Sequence, residues 1–355
     1  MSAPVLIMAG GTGGHIFPGI AVARVLEARG IPVVWLGGTS GLEGRLVPAA
    51  GFALETLDFS GVRGKGIGAL VRAPLRLVRA VFAARTVLRR VQPRSVLSMG
   101  GYAAAPGGLA ARLARIPLVV HEQNRVAGLT NRLLARFARH VLGGFADVMP
   151  SAEWVGNPVR AEIAALPPPR ERAVNHEGAM RVLVLGGSQG ASSLNTQLPL
   201  VFQRRGQALQ LDIRHQCGER HLEKTRAAYA SADIAARVEP FIDDMAAAYA
   251  WADLVICRAG ALTIAELCAA GVASVLVPFP SAVDDHQTRN AEVLVEAGAA
   301  RLVPEGSDFV KQIGASLDEL ARERFTLLGM ASAARSLARP RAAERIADVC
   351  AGVGA

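Results

Sequence analysis

Aromatic residues make up 5% of this chain, and cysteine supplies only four of its 355 residues. Those four, Cys217, Cys257, Cys268 and Cys350, never fall as CxxC, so neither a zinc site nor a disulfide framework is indicated and a reducing, cytosolic compartment fits. With so few aromatics, and the arginines not interleaved with a series of stacking platforms, nucleic-acid binding is the least favoured reading. No stretch reaches the roughly 18 apolar residues of a membrane span, and the amino terminus lacks the basic segment and long apolar run of a secretory leader. A chain that is neither secreted nor membrane-spanning is expected. GxGxxG is missing, and the strand-like Val33–Leu36 run ends in Gly37-Gly38 with no ribose-binding acid, which disfavours NAD. GxxxxGK[ST] is missing too, which removes the usual ATPase and GTPase readings. No D-x-D occurs, and Asp243-Asp244 and Asp284-Asp285 read as helix caps, so no protein-held metal and no cofactor is expected.

What is present is basic charge, glycine and a repeated pattern. The formal charge is +9, almost all of the basic side arginine, which points to phosphate-bearing partners. Apolar runs of strand length alternate with helical patterns: Val5–Met8, Val33–Leu36, Val96–Ser98, Leu118–Val120 and Val141–Leu142, then Val182–Leu185, Leu211–His215, Leu254–Cys257 and Val275–Pro278. That alternation predicts α/β architecture with a doubly wound parallel sheet in each half. The proline- and charge-rich stretch after Gly156-Asn157-Pro158 places a hinge around residues 160–178. In each half the first strand runs into glycines, Gly10-Gly11-Thr12-Gly13-Gly14 and Gly186-Gly187-Ser188-Gln189-Gly190, whose backbone N–H groups can approach an anion.

Ligands of open α/β sheets lie beyond the carboxyl ends of the strands, where this chain concentrates its polar residues. The segment Gly260-Ala261-Leu262-Thr263-Ile264-Ala265-Glu266 opens a helix whose free N–H groups suit a diphosphate. Glu266, three residues beyond Thr263, can accept hydrogen bonds from two vicinal ribose hydroxyls. His15 directly follows the first loop at a helix start, positioned to act as a base, with Glu122 as its rival.

From Phe59 to His121 there are eleven basic residues, from Arg63 and Lys65 to Arg112 and Arg115, and no acid. A helix beginning near Pro74 spreads Leu75, Leu77, Val78, Val81 and Phe82 over a sector of roughly 160°, wider than one core-facing stripe needs. Bordered by Arg72, Arg76 and Arg79, it suits an anionic membrane surface as well as an ordinary solvated face.

Together with Gly61-Val62-Arg63-Gly64-Lys65-Gly66, Gly100-Gly101-Tyr102, His121-Glu122-Gln123-Asn124, Gly156-Asn157-Pro158-Val159-Arg160 and Phe241-Ile242-Asp243-Asp244-Met245, these motifs run nearly end to end. The chain resembles the bacterial glycosyltransferase family that adds N-acetylglucosamine to undecaprenyl-diphosphate-linked N-acetylmuramyl-pentapeptide in peptidoglycan synthesis. The resemblance implies a GT-B fold of two Rossmann-like domains facing across a cleft. Residues 1–160 with 337–355 would form the acceptor and membrane-associating domain, and 161–336 the UDP-sugar domain. It implies inversion at the anomeric carbon, no cofactor, and peripheral attachment to the cytoplasmic face of the inner membrane. By this likeness Ile242 meets uracil through its backbone, Glu266 the ribose, and Ser188 with the Ala261, Leu262 and Thr263 amides the diphosphate. Ile264 and Ala265 belong to the same donor segment, Gln287 and Asn124 read sugar hydroxyls, and Arg160 lies close to the nucleotide. Thr12, Gly13 and Gly14 close on the donor, with His15 as base and Glu122 second. His286 stands where some members carry glutamine. Two alternatives are a UDP-N-acetylglucosamine 2-epimerase-like enzyme, which needs no lipid acceptor, and a UDP-sugar-binding subunit without catalysis.

Overall fold

The unbroken Val/Ile/Leu runs become parallel strands because both faces of such strands can be buried. The computed structural model describes residues 2–38, 41–59, 67–173, 178–187, 190–205 and 209–352. Two compact units emerge, one of residues 1–159 with 340–355 and the other of 160–339.

The first unit holds β1 (Val5–Ala9), β2 (Val33–Gly38), β3 (Ala53–Leu57), β4 (Ser95–Gly100), β5 (Leu118–Glu122), β6 (His140–Gly143) and β7 (Glu153–Trp154). They pair in the order β3-β2-β1-β4-β5-β6-β7, all parallel. Helices α1 (Gly13–Ala28), α2 (Glu43–Ala49), α3 (Ile67–Val91), α4 (Ala104–Leu113) and α5 (Leu129–Ala135) connect them. Beyond α6 (Ala161–Ala164) and α7 (Pro169–Ala173), the second unit holds β8 (Met180–Leu185), α8 (Ser192–Arg205), β9 (Leu211–Gln216), α9 (Leu222–Ser231) and β10 (Arg237–Glu239). It continues with α10 (Met245–Trp251), β11 (Leu254–Cys257), α11 (Ala261–Ala270), β12 (Ala273–Leu276), α12 (His286–Glu296), β13 (Ala300–Leu302), α13 (Phe309–Arg322) and α14 (Arg324–Ser336). Its order, β10-β9-β8-β11-β12-β13, is again wholly parallel.

Both orders reverse direction once, between β1 and β4 and between β8 and β11, and the crevice at such a switch point is where open sheets bind ligands. The two glycine loops follow β1 and β8, and the Gly100-Gly101 and Arg258–Glu266 segments follow β4 and β11.

The last helix, α15 (Ala342–Ala351), packs in the first unit, where Ile346, Ala347, Val349 and Cys350 share a core with Val5, Ile7, Ile16 and Trp35. Burying each large apolar side chain there contributes roughly 1.5–3 kcal/mol. Polar contacts fix its register: Ser95 Oγ donates to Cys350 O at 2.6 Å, Arg29 pairs with Asp348 at 2.7 Å, and Arg345 grips Glu153 at 2.7 and 2.9 Å. Helix α3 starts at Ile67 rather than near Pro74, since an interior proline removes one N–H and need not end a helix whose inner face, Ala80, Ala84, Val87 and Leu88, is buried.

Candidate active site

In the first unit, Thr12 caps α1 with extended backbone and no side-chain hydrogen bond to the first turn, so Gly13 and Gly14 begin the helix without a side-chain cap. His15 turns back over the loop. Its Nδ1 lies 3.1 Å from Gly10 O and 3.4 Å from Thr12 Oγ1, and its Nε2 edge faces Gly100, where an added Cβ would stand 3.1 Å away. Gly101 has φ of +91°, and a Cβ there would meet Gly10 O at 2.5 Å, so only glycine lets the two switch-point loops touch.

One amide of the first glycine loop is already engaged within the protein. Gly11 N donates to Glu43 Oε2 at 3.0 Å, and that buried carboxylate also accepts from Gly38 N at 2.9 Å. Glu43 gives no local signal at this loop in the sequence, because it arrives from α2, beyond β2.

Glu122 ends β5 and is 3% exposed. One oxygen accepts from Asn124 N at 3.0 Å and Asn124 Nδ2 at 3.4 Å, the other from Gly128 N at 3.1 Å and Asn131 Nδ2 at 3.0 Å. Ser98 Oγ in turn donates to Asn131 Oδ1 at 3.0 Å. Beside it, His121 is fully buried, with Nε2 2.9 Å from Gly156 O and Nδ1 3.1 Å from Gln123 Nε2. Burial pushes its pKa down, which keeps the ring neutral and structural.

In the second unit, Gly260 is an extended N-cap with no side-chain cap, so α11 opens with Ala261, Leu262 and Thr263 and no side chain across its end. Ile264 points into the core, so it and Ala265 can serve a ligand through backbone alone. One turn along, Glu266 Oε1 accepts from Arg160 Nη2 at 2.9 Å and Nε at 3.2 Å, while Oε2 accepts from Tyr249 Oη at 3.1 Å. Burial, and then the Glu266 charge, push the Tyr249 hydroxyl well above the usual phenol range, so it remains a donor. The carboxylate is 17% exposed and its Arg160 partner 48%.

Sequence reading missed Tyr249, whose only signal was its place in α10, and gave Arg258 no task. Arg258 donates to Val277 O at 3.2 Å, Pro278 O at 3.1 Å and Ser193 Oγ at 3.1 Å, and pairs with Glu305 at 2.5 Å. It ties the ends of β11 and β12 to the start of α8. Ile242 is buried beside exposed Phe241, and Gln287 Oε1 accepts from Phe279 N at 2.9 Å. Asp244 caps α10 through Ala247 N at 2.8 Å; Asp285, by contrast, accepts from Thr288 Oγ1 at 2.6 Å and caps no backbone amide. Ser188, Gln189 and the Gly61–Gly66 motif with Arg63 and Lys65 lie outside the described residues.

On α3, Leu75, Val78 and Phe82 are 58%, 51% and 63% exposed, with Arg76 and Arg79 exposed among them. Leu113 on α4 and Leu129 on α5 are exposed as well.

The glycosyltransferase family 28 N-terminal domain matches residues 5–142 and the family's C-terminal domain residues 181–346. A curated protein of Xanthomonas axonopodis pv. citri is 60% identical over 98% of the chain and 81% of its own length. One of Xylella fastidiosa is 57% identical over 98% and 95%. Both are named UDP-N-acetylglucosamine–N-acetylmuramyl-(pentapeptide) pyrophosphoryl-undecaprenol N-acetylglucosamine transferase. The crystal structure of Acinetobacter baumannii MurG is 39% identical with a TM-score of 0.89, covering 99% of this chain and 100% of that one. A Listeria monocytogenes structure described as a UDP-N-acetylglucosamine 2-epimerase shares the fold at a TM-score of 0.65 but only 13% identity.

Proposed function

Since the chain belongs to glycosyltransferase family 28, in the branch that transfers N-acetylglucosamine to N-acetylmuramyl-(pentapeptide) pyrophosphoryl-undecaprenol, we propose a division of that reaction between its two GT-B units. The enzyme moves N-acetylglucosamine from UDP-N-acetylglucosamine to the lipid-linked muramyl-pentapeptide of peptidoglycan synthesis. The second unit binds the donor. The observation that carries this is the α11 amino terminus, left without a side-chain cap at a switch point, with the Glu266 carboxylate one turn in. Amides of Ala261, Leu262 and Thr263 with Ser188 meet the diphosphate, and Ile242 meets uracil through its backbone. Tyr249 holds Glu266 Oε2 while the ribose hydroxyls displace Arg160, which then lies close to the nucleotide. Gln287 and Asn124 read the sugar.

The first unit supplies the acceptor side and the base, with Thr12, Gly13 and Gly14 offered to the ligands. His15 Nε2 takes the proton of the muramyl 4-hydroxyl as that oxygen bonds to the anomeric carbon and the bond to UDP breaks with inversion. Charge appearing on UDP is met by amides already in place. Glu122, with both oxygens engaged by N–H donors, suits holding the Asn124 loop better than abstracting a proton. Purified enzyme given radiolabelled UDP-N-acetylglucosamine and polyprenyl-diphosphate-muramyl acceptor should move label into the lipid phase. Conversion of the labelled sugar into its 2-epimer without lipid product would favour the epimerase-like alternative.

The exposed Leu75, Val78 and Phe82, ringed by arginines, support attachment to an anionic membrane face, each such charge contributing about 1 kcal/mol near it. Attachment would be peripheral, at the cytoplasmic side of the inner membrane. Among the described residues no helix is long and apolar enough to cross a membrane. Phe82→Ser should weaken binding to anionic vesicles about tenfold or more, while leaving transfer to a short-chain soluble acceptor intact. Equal binding of both proteins to the vesicles would refute the attachment face.

A further inference from the structure

The peptide unit joining Gly10 to Gly11 carries two hydrogen bonds of opposite sense. Its carbonyl faces His15 Nδ1 at 3.1 Å, and its N–H donates to Glu43 Oε2 at 3.0 Å. A carbonyl oxygen only accepts, so this contact puts the proton on Nδ1 and leaves the lone pair of the neutral ring on Nε2. Glu43 is the first residue of α2 and is buried, its second oxygen accepting from Gly38 N at 2.9 Å. Glycines make room for it. A Cβ on Gly10 would stand 2.6 Å from Oε1, one on Gly37 2.7 Å from Cγ, and one on Gly41 would overlap Oε2. Two separate stretches of chain, the loop after β1 and the end of β2 with its connection to α2, thus surround one carboxylate, although burying a charge is costly unless strong donors meet it.

Such a chain of hydrogen bonds polarises along its length. The carboxylate pulls on the Gly11 N–H and enriches the Gly10 oxygen, which then holds Nδ1–H more firmly. A carboxylate behind a catalytic histidine performs the same task by direct contact in hydrolase triads. We infer that Glu43 is a positioning residue for the transfer reaction, fixing the tautomer and aim of His15 through the Gly10–Gly11 peptide. It stabilises the imidazolium formed when Nε2 takes the acceptor proton, the new oxygen–carbon bond forms and UDP departs with the bonding pair. This rests on the reading of His15 as the base.

The test is a double-mutant cycle on the full chain. Glu43→Gln keeps the shape, removes the charge and turns an NH₂ toward one of the two N–H donors. The kcat should fall about tenfold to a hundredfold, as misaimed catalytic groups do, with the donor KM unchanged. In a His15→Ala background the same change should alter residual turnover by less than about twofold, because the group it serves is gone. An equal loss in both backgrounds makes Glu43 a general support of the loop and overturns the relay, as does an unchanged kcat in the His15 enzyme. If Glu43→Gln does not fold, Glu43→Asp, which keeps the charge on a shorter arm, carries the same cycle: a loss confined to the His15 enzyme supports the relay, and an equal loss in both backgrounds overturns it. Intact turnover in His15→Ala alone would defeat the base assignment itself, whereas a large His15→Ala loss with an additive Glu43 effect defeats only the relay.

Discussion

The two glycine loops leave equivalent strands, β1 and β8, at the switch points of sheets that share the order of six strands, yet they are held by opposite chemistry. In the first, the clamp on Gly11 N is the Glu43 carboxylate. In the second, Gln216 at the end of β9 holds Gly187 on both sides, its Oε1 accepting from Gly187 N at 3.0 Å and its Nε2 donating to Gly187 O at 3.1 Å and Pro240 O at 3.0 Å. A neutral carboxamide can stand beside a diphosphate; a carboxylate would repel it. The same difference suits the first loop to a residue that gains positive charge during the reaction, as His15 would in the proposed role of base. The same strand order around the switch point therefore carries two electrostatic designs, and the charge of the clamp tells them apart.

Removing His15 should expose that division most strongly. His15→Ala is expected to lower kcat by about a hundredfold to ten-thousandfold, the span of general-base contributions, with UDP-sugar affinity unchanged in calorimetry. Loss of UDP-sugar affinity with kcat retained would assign the first loop to the donor and erase the contrast.

How much of this was legible in the sequence follows from burial. Nine strands were readable as apolar runs, while Ala53–Leu57, Glu153–Trp154, Arg237–Glu239 and Ala300–Leu302 were not. Those four are the edges of the two sheets. An edge strand is covered on fewer sides, so it tolerates Glu55, Glu153, Arg237 and Arg301 and carries no continuous apolar signal. The Gly260–Glu266 segment was visible because small residues opening a helix, followed by an acid, are a local pattern. The supports were not: Tyr249 reaches Glu266 from 17 positions away, and in the other unit Glu43 reaches Gly11 of the first loop from 32. Sequence spacing shows what lies on one helix face. It does not show which distant side chain fills the room that glycines such as Gly37 and Gly41 leave.

A smaller effect tests the electrostatic half of the contrast directly. Gln216→Glu gives the second loop the clamp charge of the first, and it also removes the donors to Gly187 O and Pro240 O. Uridine and UDP separate these consequences, since in the proposed site both rest on Ile242, two residues from the Pro240 carbonyl that Gln216 holds, but only UDP brings phosphate charge to the loop. Uridine affinity should then report the lost hydrogen bonds, and UDP affinity should fall by about a further tenfold, or about 1.4 kcal/mol, with the excess shrinking as salt screens it. Glu43→Gln should leave both affinities as they were. If Gln216→Glu weakens uridine and UDP by the same factor at every salt concentration, the neutrality of the second clamp is incidental to the diphosphate, and the two loops differ in shape rather than in charge.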